Sequence, residues 1–340
     1  MAAVKIAFLG CAHMHANGYA AQMRERPKGE VEVLGVWDRD PQRAGRLAKS
    51  LGVRAFASRE KLLAKRPHGA LVCSENVHHR EDVLACARTR VGVLCEKPLA
   101  PTVADARAMV EACREAEIPL MTAFPCRFSG SVLRLKELLE AGELGRVLAV
   151  VSSNHGRQPG GWFVDAALSG GGAIMDHAVH VVDLLRWLLR REFIRVYAAA
   201  GYNRFALTRK ALGARKRIDD AAVLSLEMEG GPLVTLDCSW SRPAEYPTWG
   251  DVRLELIGTH GLARLDLFRQ KVLLASASTG KLSECCWTDE KDGGLTGEFI
   301  LALARRRAPS ITGEDGLRAT EVVEAAYRSL REGLPVTLNQ

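Results

Sequence analysis

The sequence predicts an α/β protein in two parts: a doubly wound parallel sheet, followed by an α+β part with a large, mostly antiparallel open sheet. In the first third, short apolar runs alternate with helix-like segments, which is typical of βαβ repetition. After about Ala123, strand-like runs alternate apolar and polar residues, which is typical of an antiparallel sheet with one uncovered face. We therefore expect two domains, 1–123 and 124–340.

The elements of the first part follow in a regular order. The predicted strands are VKIAFLG, VEVLGVWD, GALVCSE, VGVLCEKP and PLMTAF, all rich in valine and leucine, as expected for strands buried on both faces. Helix-like segments lie between them, at Ala16 to Arg26, Pro41 to Ser50, His79 to Arg88 and Thr102 to Glu117. Right-handed crossovers place the ligand crevice of such a sheet at the carboxyl ends of its strands.

The second part begins with a predicted helix from about Ser129 to Ala141. A strand, RVLAVVSSNH, leads to a glycine-rich turn and to the predicted helix AIMDHAVHVVDLLRWLLR. Further strands are FIRVYAAAG, AAVLSLEME, PLVTLDCSW, DVRLELIG and ARLDLF, and a last amphipathic helix covers about Asp315 to Arg331. The uncovered sheet predicts a homodimer or homotetramer, because an exposed apolar face is costly in water.

Composition excludes several classes of partner. The net charge of +7 comes from 47 basic residues dispersed among 40 acidic ones, without a long basic run, so we expect no nucleic-acid partner. The nine cysteines form no C-x-x-C pair, which favours a reducing cytoplasm. No apolar run approaches the roughly 18 residues needed to cross a bilayer, so we expect no membrane partner.

The stretch IAFLGCAHMHANGYA resembles a dinucleotide-binding turn with two substitutions. Gly10 ends the strand, but Ala12 and His15 stand where a G-x-G-x-x-G motif has its second and third glycines. The amino end of the next helix still offers N–H groups to a pyrophosphate. The predicted cofactor contacts in this turn are Gly10, Cys11, Ala12, His13, Met14 and His15.

An acidic residue, Asp38, closes the second strand 28 residues after Gly10. A carboxylate at this place accepts hydrogen bonds from ribose hydroxyls and repels a 2′-phosphate, which favours NAD over NADP. Arg39 beside it keeps NADP open as an alternative, because an arginine can pair with a 2′-phosphate. We expect both residues to contact the cofactor.

Two further stretches carry groups for proton transfer. In CEKP, Lys97 can reach the crevice at the carboxyl end of its strand, and the alternative is a surface lysine paired with Glu96. In SGGGAIMDHAVHVVDLL, Asp176 and His180 are spaced i and i+4, hence on one face of an α-helix. That pair suits a substrate hydroxyl, although the spacing could also hold a metal. His177 lies about 100° away and is expected to pack or cap.

Together these stretches resemble the Gfo/Idh/MocA oxidoreductases, the group of glucose-fructose oxidoreductase and inositol dehydrogenase. The resemblance extends over nearly the whole chain, from the first turn through EKP and D-x-x-x-H to EDGLRATEVVEAAYRSLREG. It implies an NAD(P)-binding Rossmann domain in which Lys97 is catalytic, with Asp176 and His180 on the substrate side. In SENVHH it implies cofactor contacts at Ser74, Glu75, Asn76 and His79, with Glu75 in place of the family's proline. Glu96 and Lys97 complete the predicted cofactor set.

The resemblance also implies an activity. We expect an NAD(P)-dependent dehydrogenase or reductase acting on a secondary hydroxyl or keto carbon of a sugar, polyol or sugar derivative, with His180 or Lys97 taking the hydroxyl proton. FPCRF resembles the family's arginine-aromatic segment, so Arg127 is expected near the substrate or the cofactor. The remaining predicted substrate residues are His155, Arg157 and Trp162, together with His177.

Three alternatives stay open at this point. The first is an NAD-dependent glycosidase that oxidises its sugar transiently and yields free sugar without net NADH. The second is a metal-assisted enzyme, because seven histidines fall in segments expected around one cleft: His13, His15, His78, His79, His155, His177 and His180. The third is a non-catalytic NAD-binding sensor, which would suit a chain without Lys97 or His180.

Overall fold

A computed structural model gives the fold of residues 2–205, 210, 217–277, 279–286 and 294–338. The chain forms two compact units. The first unit contains Met1–Ala123 and Asp292–Thr320, and the second contains Phe124–Lys291 and Glu321–Gln340. Sequence periodicity gave no sign that the segment from Asp292 groups with the first unit.

The first unit contains five short strands. They are β1 (Val4–Leu9), β2 (Val31–Trp37), β3 (Gly69–Val72), β4 (Gly92–Cys95) and β5 (Leu120–Thr122). The helices between them are α1 (His15–Glu25), α2 (Pro41–Leu51), α3 (Arg59–Leu63), α4 (His79–Arg88) and α5 (Val103–Glu115), with a 3₁₀ turn at Asn76–His78. A helix at Gly294–Arg305 lies further along the chain in the same unit.

These strands form a parallel sheet in the order β2-β1-β3-β4-β5. The chain passes from β1 to β2 on one side and then returns to β3 on the other, so the order reverses between β1 and β3. In open parallel sheets, ligands bind at the carboxyl ends of the strands at such a reversal. The loops after Leu9 and Val72 therefore border the expected crevice.

The core of the first unit consists of buried aliphatic residues from both sheet and helices. β3 and β4 are buried along their whole length, and a Leu- and Val-rich cluster joins them to α4 and α5. Burial on both faces explains why these strands have continuous apolar runs instead of alternating ones. The core fixes the strand ends from which the candidate site residues project.

The second unit contains a nine-stranded sheet. Its strands are β6 (Val147–Gly156), β7 (Phe193–Tyr202), β8 (Asp219–Met228), β9 (Leu233–Ser239), β10 (Gly250–Gly258), β11 (Gly261–Asp266), β12 (Lys271–Ser276), β13 (Lys281–Cys286) and β14 (Val336–Thr337). The order is β13-β12-β11-β10-β6-β9-β8-β7-β14, antiparallel except for the parallel pair β6 and β9. The prediction of a mostly antiparallel second sheet is thus confirmed.

The helices of the second unit are α6 (Gly130–Glu140), α7 (Ala166–Ser169) and α8 (Val179–Leu189), with 3₁₀ turns at Pro125–Phe128 and Gly161–Val164. A π-helical turn, Ile174–Ala178, leads directly into α8. The last helix, Gly313–Glu332, belongs to the first unit up to Thr320 and to the second unit from Glu321. None of the described helices is both long enough and apolar enough to cross a membrane.

The structure contains the predicted elements, but several others were not predicted, among them α3, α7, β12, β13 and β14. Of these, β13 (KLSECC) is exposed at every position, so its side chains do not mark it as a strand. The prediction of one continuous α-helix through AIMDHAVHVVDLLRWLLR is wrong in its first turn, which is π-helical. π turns are rare and frequently occur at functional sites.

Candidate active site

The turn after β1 depends on Gly10. Its φ is +79°, a left-handed conformation that favours glycine, and an added Cβ would lie 2.5 Å from the backbone nitrogen of Ser74. The end of β1 thus approaches the end of β3 closely, at the reversal of strand order. Met14 holds the cap position of α1, and its side chain makes no capping hydrogen bond. A helix start of this kind suits a pyrophosphate.

His15 occupies the place of the third glycine without disturbing this packing. It is the first residue of α1, and its side chain is 39% exposed and turns toward Glu96, with Nδ1 3.0 Å from Oε1. The imidazole therefore does not enter the interface between helix and strand. The departure from the glycine motif is accommodated locally.

Asp38 is fixed at the end of β2, where a carboxylate is expected to contact ribose. It is buried, and its two oxygens accept hydrogen bonds from the backbone N–H groups of Cys11 and Asp40. Arg43 on α2 adds an ion pair at 3.0 Å and reaches Glu75 at 2.8 Å with another nitrogen. Arg43 was not predicted. It is the third residue of α2, which begins at Pro41, so its side chain can reach back to Asp38.

Arg39, in contrast, turns to other carboxylates. Its guanidinium is 3.0 Å from Asp82 and 2.7 Å from Glu81, and it lies over the ring of Trp37 at 5.2 Å. Asp82 is fully buried and also receives the Ser74 hydroxyl at 2.7 Å. The arginine that forms an ion pair with Asp38 is therefore Arg43, whereas Arg39 pairs with carboxylates in the first turn of α4.

His79 connects the loop after β3 with the loop after β4. Its ring is fully buried, with Nε2 3.1 Å from the Ser74 carbonyl oxygen and Nδ1 3.1 Å from that of Pro98. Burial lowers the pKa of His79. These contacts connect His79 with the loop of Lys97 and Pro98, and its contact with the cofactor stays a prediction.

The residue before Lys97 is the centre of a buried network. Glu96 accepts hydrogen bonds from the Tyr19 hydroxyl at 2.5 Å, from His15 at 3.0 Å and from the backbone N–H of Lys97 at 3.2 Å. Burial opposes ionisation of Glu96, yet His13 and His15 hold its pKa well below the ordinary value. Lys97 itself is 5% exposed, at the carboxyl end of β4. The alternative of a surface lysine does not fit this burial.

The cluster of His13, His15 and Glu96 is also the only group of three potential metal ligands among the described residues, with ligand atoms within 4.8 Å of one another. The backbone N–H of His15 points at Nδ1 of His13 at 3.2 Å, so that nitrogen is an acceptor and the ring proton lies on Nε2. Nε2 faces Glu96 at 3.7 Å. This tautomer favours an electrostatic contact between Nε2–H and Glu96 over a metal site, where Nε2 would have to be bare.

In the second unit, Asp219 and Tyr327 fix the glycine-rich turn before the π-helical segment. The Asp219 carboxylate accepts the N–H groups of Gly172 and Ile174, both at 2.9 Å, and the Tyr327 hydroxyl at 3.0 Å. An added Cβ at Gly172 would lie 1.9 Å from the Asp219 carbonyl oxygen, so the approach requires glycine. Burial raises the pKa of Asp219 to about 6. Neither Asp219 nor Tyr327 was predicted.

The π-helical turn brings together Asp176 and His177. Nε2 of His177 is 3.2 Å from Oδ2 of Asp176, and Nε1 of Trp240 donates to the same oxygen at 3.1 Å. Nδ1 of His177 is 3.1 Å from the carbonyl oxygen of Asn154 on β6. His177 was expected to pack or cap; in the structure its ring contacts a predicted catalytic group.

His180 lies at the start of α8, beyond the π turn. Its Nδ1 is 4.0 Å from the Cys126 sulfur, and its ring meets Phe124 edge-on at 6.4 Å. The argument that spacing i and i+4 places Asp176 and His180 on one face assumes an α-helix throughout. Because the hydrogen bonds of Ile174–Ala178 are of the i to i+5 type, that argument does not apply to this turn.

The predicted substrate residues on β6 and in the loop after it have other partners. The Asn154 side chain lies on the face of the sheet that carries the π-helical turn. The side chain of His155, the next residue in the strand, therefore lies on the open face. There His155 is 3.1 Å from Asp251 and 3.2 Å from Asp237. Although burial opposes it, these carboxylates raise the pKa of His155. The Arg157 guanidinium donates to a backbone oxygen, that of Tyr246, at 2.5 Å.

Trp162 and Arg127 also have identified neighbours. Trp162 stacks on Phe163 with ring centroids 3.9 Å apart. Arg127 is buried in an ion pair with Asp183, with its Nε 2.8 Å from one carboxylate oxygen, and lies over the Trp187 ring at 5.5 Å. A buried arginine paired in this way supports the segment before α6. Its predicted contact with substrate or cofactor stays a prediction.

The first unit thus has a parallel sheet, a glycine turn at the reversal of strand order, an acid after β2 and a buried lysine after β4. These features fit NAD, because the turn, the helix start and the carboxylate match the phosphate and ribose groups of a dinucleotide. Together they define the class: a dinucleotide-dependent oxidoreductase with an additional α+β unit.

Comparison with known proteins identifies the family. Residues 4–124 match the model of the Gfo/Idh/MocA oxidoreductases with an NAD-binding Rossmann fold, and residues 132–264 match the model of the Gfo/Idh/MocA C-terminal domain. The chain belongs to the Gfo/Idh/MocA family. The predictions of family, of an oxidoreductase and of NAD as cofactor are confirmed.

Individual relatives are similar over most of the chain. Myo-inositol 2-dehydrogenase of Thermotoga maritima is 29% identical over 318 residues, 91% of each protein. Inositol 2-dehydrogenase 2 of Saccharopolyspora erythraea is 33% identical over 263 residues, 76% of this chain and 72% of the relative. The crystal structure of the Caulobacter crescentus aldose-aldose oxidoreductase complexed with glycerol has a TM-score of 0.84 at 23% identity, covering 99% of this chain and all of the other.

Proposed function

We propose that this protein is an NAD-dependent dehydrogenase of polyols or sugars, acting at a secondary hydroxyl carbon. Relatives named inositol 2-dehydrogenase support the substrate class. The observation that carries the proposal is Lys97, which is 5% exposed at the carboxyl end of β4 and follows Glu96, an ionised side chain held by a buried network. Such a lysine suits proton exchange with a substrate hydroxyl.

The proposed catalytic residues are Lys97, Asp176 and His180. Bound NAD would supply the hydride acceptor. Asp38 would hold the ribose by accepting hydrogen bonds from its hydroxyl groups, and the turn from Gly10 to His15 would receive the pyrophosphate at the start of α1. Lys97 or His180 would take the hydroxyl proton, while the other would donate a hydrogen bond to the oxygen. Removing this acid-base help typically costs about 10²- to 10⁴-fold in rate.

The test is NADH formation across a panel of inositols, other polyols, aldoses and glycosides, with NAD and NADP in parallel. We expect turnover with at least one polyol or aldose, and loss of turnover in Lys97→Ala with NAD affinity retained. Lys65→Ala is the matched control, because Lys65 is an exposed lysine after α3 of the same unit. Near-normal kcat in Lys97→Ala would contradict the assignment, and free sugar without net NADH would favour the glycosidase.

We further propose a cytoplasmic homo-oligomer, in which residues 1–123 bind the cofactor and the nine-stranded sheet forms the contact between copies. Its open face exposes apolar side chains on three adjacent strands: Val151 at 53%, Val223 at 54% and Leu233 at 61%. An exposed apolar face of this kind favours association. Light scattering on the purified protein is expected to give a dimer or tetramer, and a monomer would contradict the proposal.

A further inference from the structure

A groove of about 1440 Å³ lies at the amino ends of the strands of the first unit, at the opposite edge of the sheet from Gly10 and Lys97. Val4, Gly92 and Leu120, which begin β1, β4 and β5, are buried at its floor. We propose that this groove binds an organic polyphosphate, such as a nucleoside triphosphate. Its phosphates contact arginines at the rim, and its organic part lies on the apolar floor. The site goes beyond the proposed function and does not depend on it.

Four exposed arginines line the groove and form no ion pair with any residue that the structure describes. They are Arg66, Arg90, Arg114 and Arg306. A fifth lining arginine, Arg307, is paired with Glu298, with two N–O distances of 2.7 Å. Of the two lining glutamates, Glu314 pairs with Arg318 at 2.9 Å, which leaves Glu117 to oppose the four arginines. The groove therefore has an excess of positive charge, which an anionic ligand would neutralise.

Three of these arginines have backbone conformations that favour glycine. Arg66, Arg90 and Arg306 have φ values of 56°, 55° and 50°, and each donates its N–H to the carbonyl oxygen three residues earlier, where a helix has just ended. The helix dipoles do not explain the arginines, because the last turn of each of these helices already contains a basic residue. A long cationic side chain in a strained position is consistent with a role for that side chain in the groove.

The donors of the groove suit phosphate better than other anions. A guanidinium keeps its charge at every relevant pH, and its planar fork donates two parallel hydrogen bonds to phosphate oxygens. His68 also lines the groove, and its Nδ1 accepts the backbone N–H of Lys5 at 2.9 Å. That contact leaves Nε2 as the donor of the ring. Several donors around one groove favour a ligand with more than one phosphate group.

The floor of the groove is apolar and includes a helix from the far end of the chain. A Cβ added at Gly69 or Gly92 would lie 2.5 or 2.8 Å from a δ-carbon of Leu303, so glycine at both strand starts lets this helix approach the sheet. Val110 and Leu120 also line the groove. Its volume exceeds the roughly 300–1,000 Å³ of ordinary small-molecule sites. An apolar surface of this size suits a ligand with an organic part, such as a purine ring, in addition to its phosphates.

The direct test is calorimetric titration of the full-length protein with ATP, without Mg²⁺ and with saturating NADH so that the cofactor site is occupied. We expect saturable binding that weakens as salt is added, and weaker binding of inorganic tripolyphosphate, which lacks the base. Absence of saturable ATP binding would overturn the proposal. Equal Kd values for ATP and tripolyphosphate would contradict the role of the apolar floor. Tighter binding of a single-stranded RNA oligonucleotide than of ATP would overturn the proposal in favour of a nucleic-acid site.

Arginine variants locate the site. Arg90→Gln and Arg306→Gln should each raise the Kd for ATP about tenfold, because each removes a charged hydrogen bond. Arg88→Gln is the matched control, an exposed arginine in the last turn of α4 outside the groove, and should leave the Kd unchanged. An equal loss in the control would contradict the site.

Arg90→Gly separates binding from folding. Glycine relieves the left-handed conformation, so this variant should unfold at a higher urea concentration than the unmodified protein and still bind ATP about tenfold more weakly. Unchanged ATP binding in Arg90→Gly would contradict the role of that side chain. ATP binding in a protein without polyol or sugar turnover would instead contradict the proposed function alone.

Discussion

Asp219 makes the stability of the second unit depend on pH in a predictable direction. Its carboxylate is buried and caps the turn before the π-helical segment, and burial raises its pKa from 3.8 to about 6. A raised pKa means that the folded state binds the proton more tightly than the unfolded one. The stabilisation is therefore complete below pH 3.8 and is lost as the pH rises through about 6.

The size of the effect follows from the two pKa values. At about 1.4 kcal/mol per pKa unit, the rise from 3.8 to about 6 corresponds to about 3 kcal/mol. Asp219→Asn removes this titration, so its free energy of unfolding should lack that fall between pH 4 and 7. The variant also loses part of the hydrogen bonding to the turn, because an amide NH₂ group in place of Oδ2 cannot accept the N–H of Ile174. This loss lowers the free energy of unfolding by roughly 1–3 kcal/mol at every pH.

The assay is urea unfolding of both proteins at several pH values from 4 to 7.5. The quantity of interest is the difference in the free energy of unfolding, since processes common to both proteins cancel. As the pH rises, the unmodified protein should lose about 3 kcal/mol relative to Asp219→Asn. Tyr327→Phe removes a hydrogen bond to the carboxylate and should move the transition to higher pH. Parallel curves for Asp219→Asn and the unmodified protein would refute the reasoning.

Three further predictions concern the first unit. Gly10→Ala should lower the free energy of unfolding by about 1–3 kcal/mol, because Gly10 has a left-handed φ and an added Cβ would lie 2.5 Å from Ser74. It should also weaken NAD binding, and denaturation and calorimetry measure the two effects. Gly18→Ala, inside α1 with open space around it, should instead stabilise the protein by about 0.5–1 kcal/mol. Tyr19→Phe should cost roughly 1.5–3 kcal/mol in urea unfolding through the lost hydrogen bond to Glu96, and an unchanged midpoint would count against that network. Asp38→Ala should raise the Kd for NAD and reduce the preference for NAD over NADP. An unchanged ratio of the two Kd values would exclude a ribose-binding role for Asp38.

The order of strands and helices in the first unit could be predicted because the local pattern and the tertiary environment agree there. Strands buried on both faces have continuous apolar runs, and α2 begins with Asp40 and Pro41, a capping residue and a preferred first residue. β12 pairs with β11 and β13 with β12, but β13 is exposed along its whole length. Nothing in its side chains distinguishes such an edge strand from a loop.

The residues of the candidate site could be predicted where the backbone dictates their place. Gly10 and Lys97 follow directly from strand ends, and strand ends follow from the apolar runs. Arg43 and Tyr19 act through long side chains across two elements, to Asp38 and to Glu96. Their contacts depend on how the helices are rotated about their axes, which the hydrophobic pattern defines only within about one residue.

Strand β6 shows most clearly what alternation can and cannot decide. Asn154 and His155 must point to opposite faces because they are adjacent in a strand, and the sequence establishes that much. Which face carries the π-helical turn depends on tertiary packing, and there Asn154 contacts His177 while His155 pairs with Asp237 on the other side. The histidine attracts attention as a chemical group, yet the asparagine contacts the candidate site.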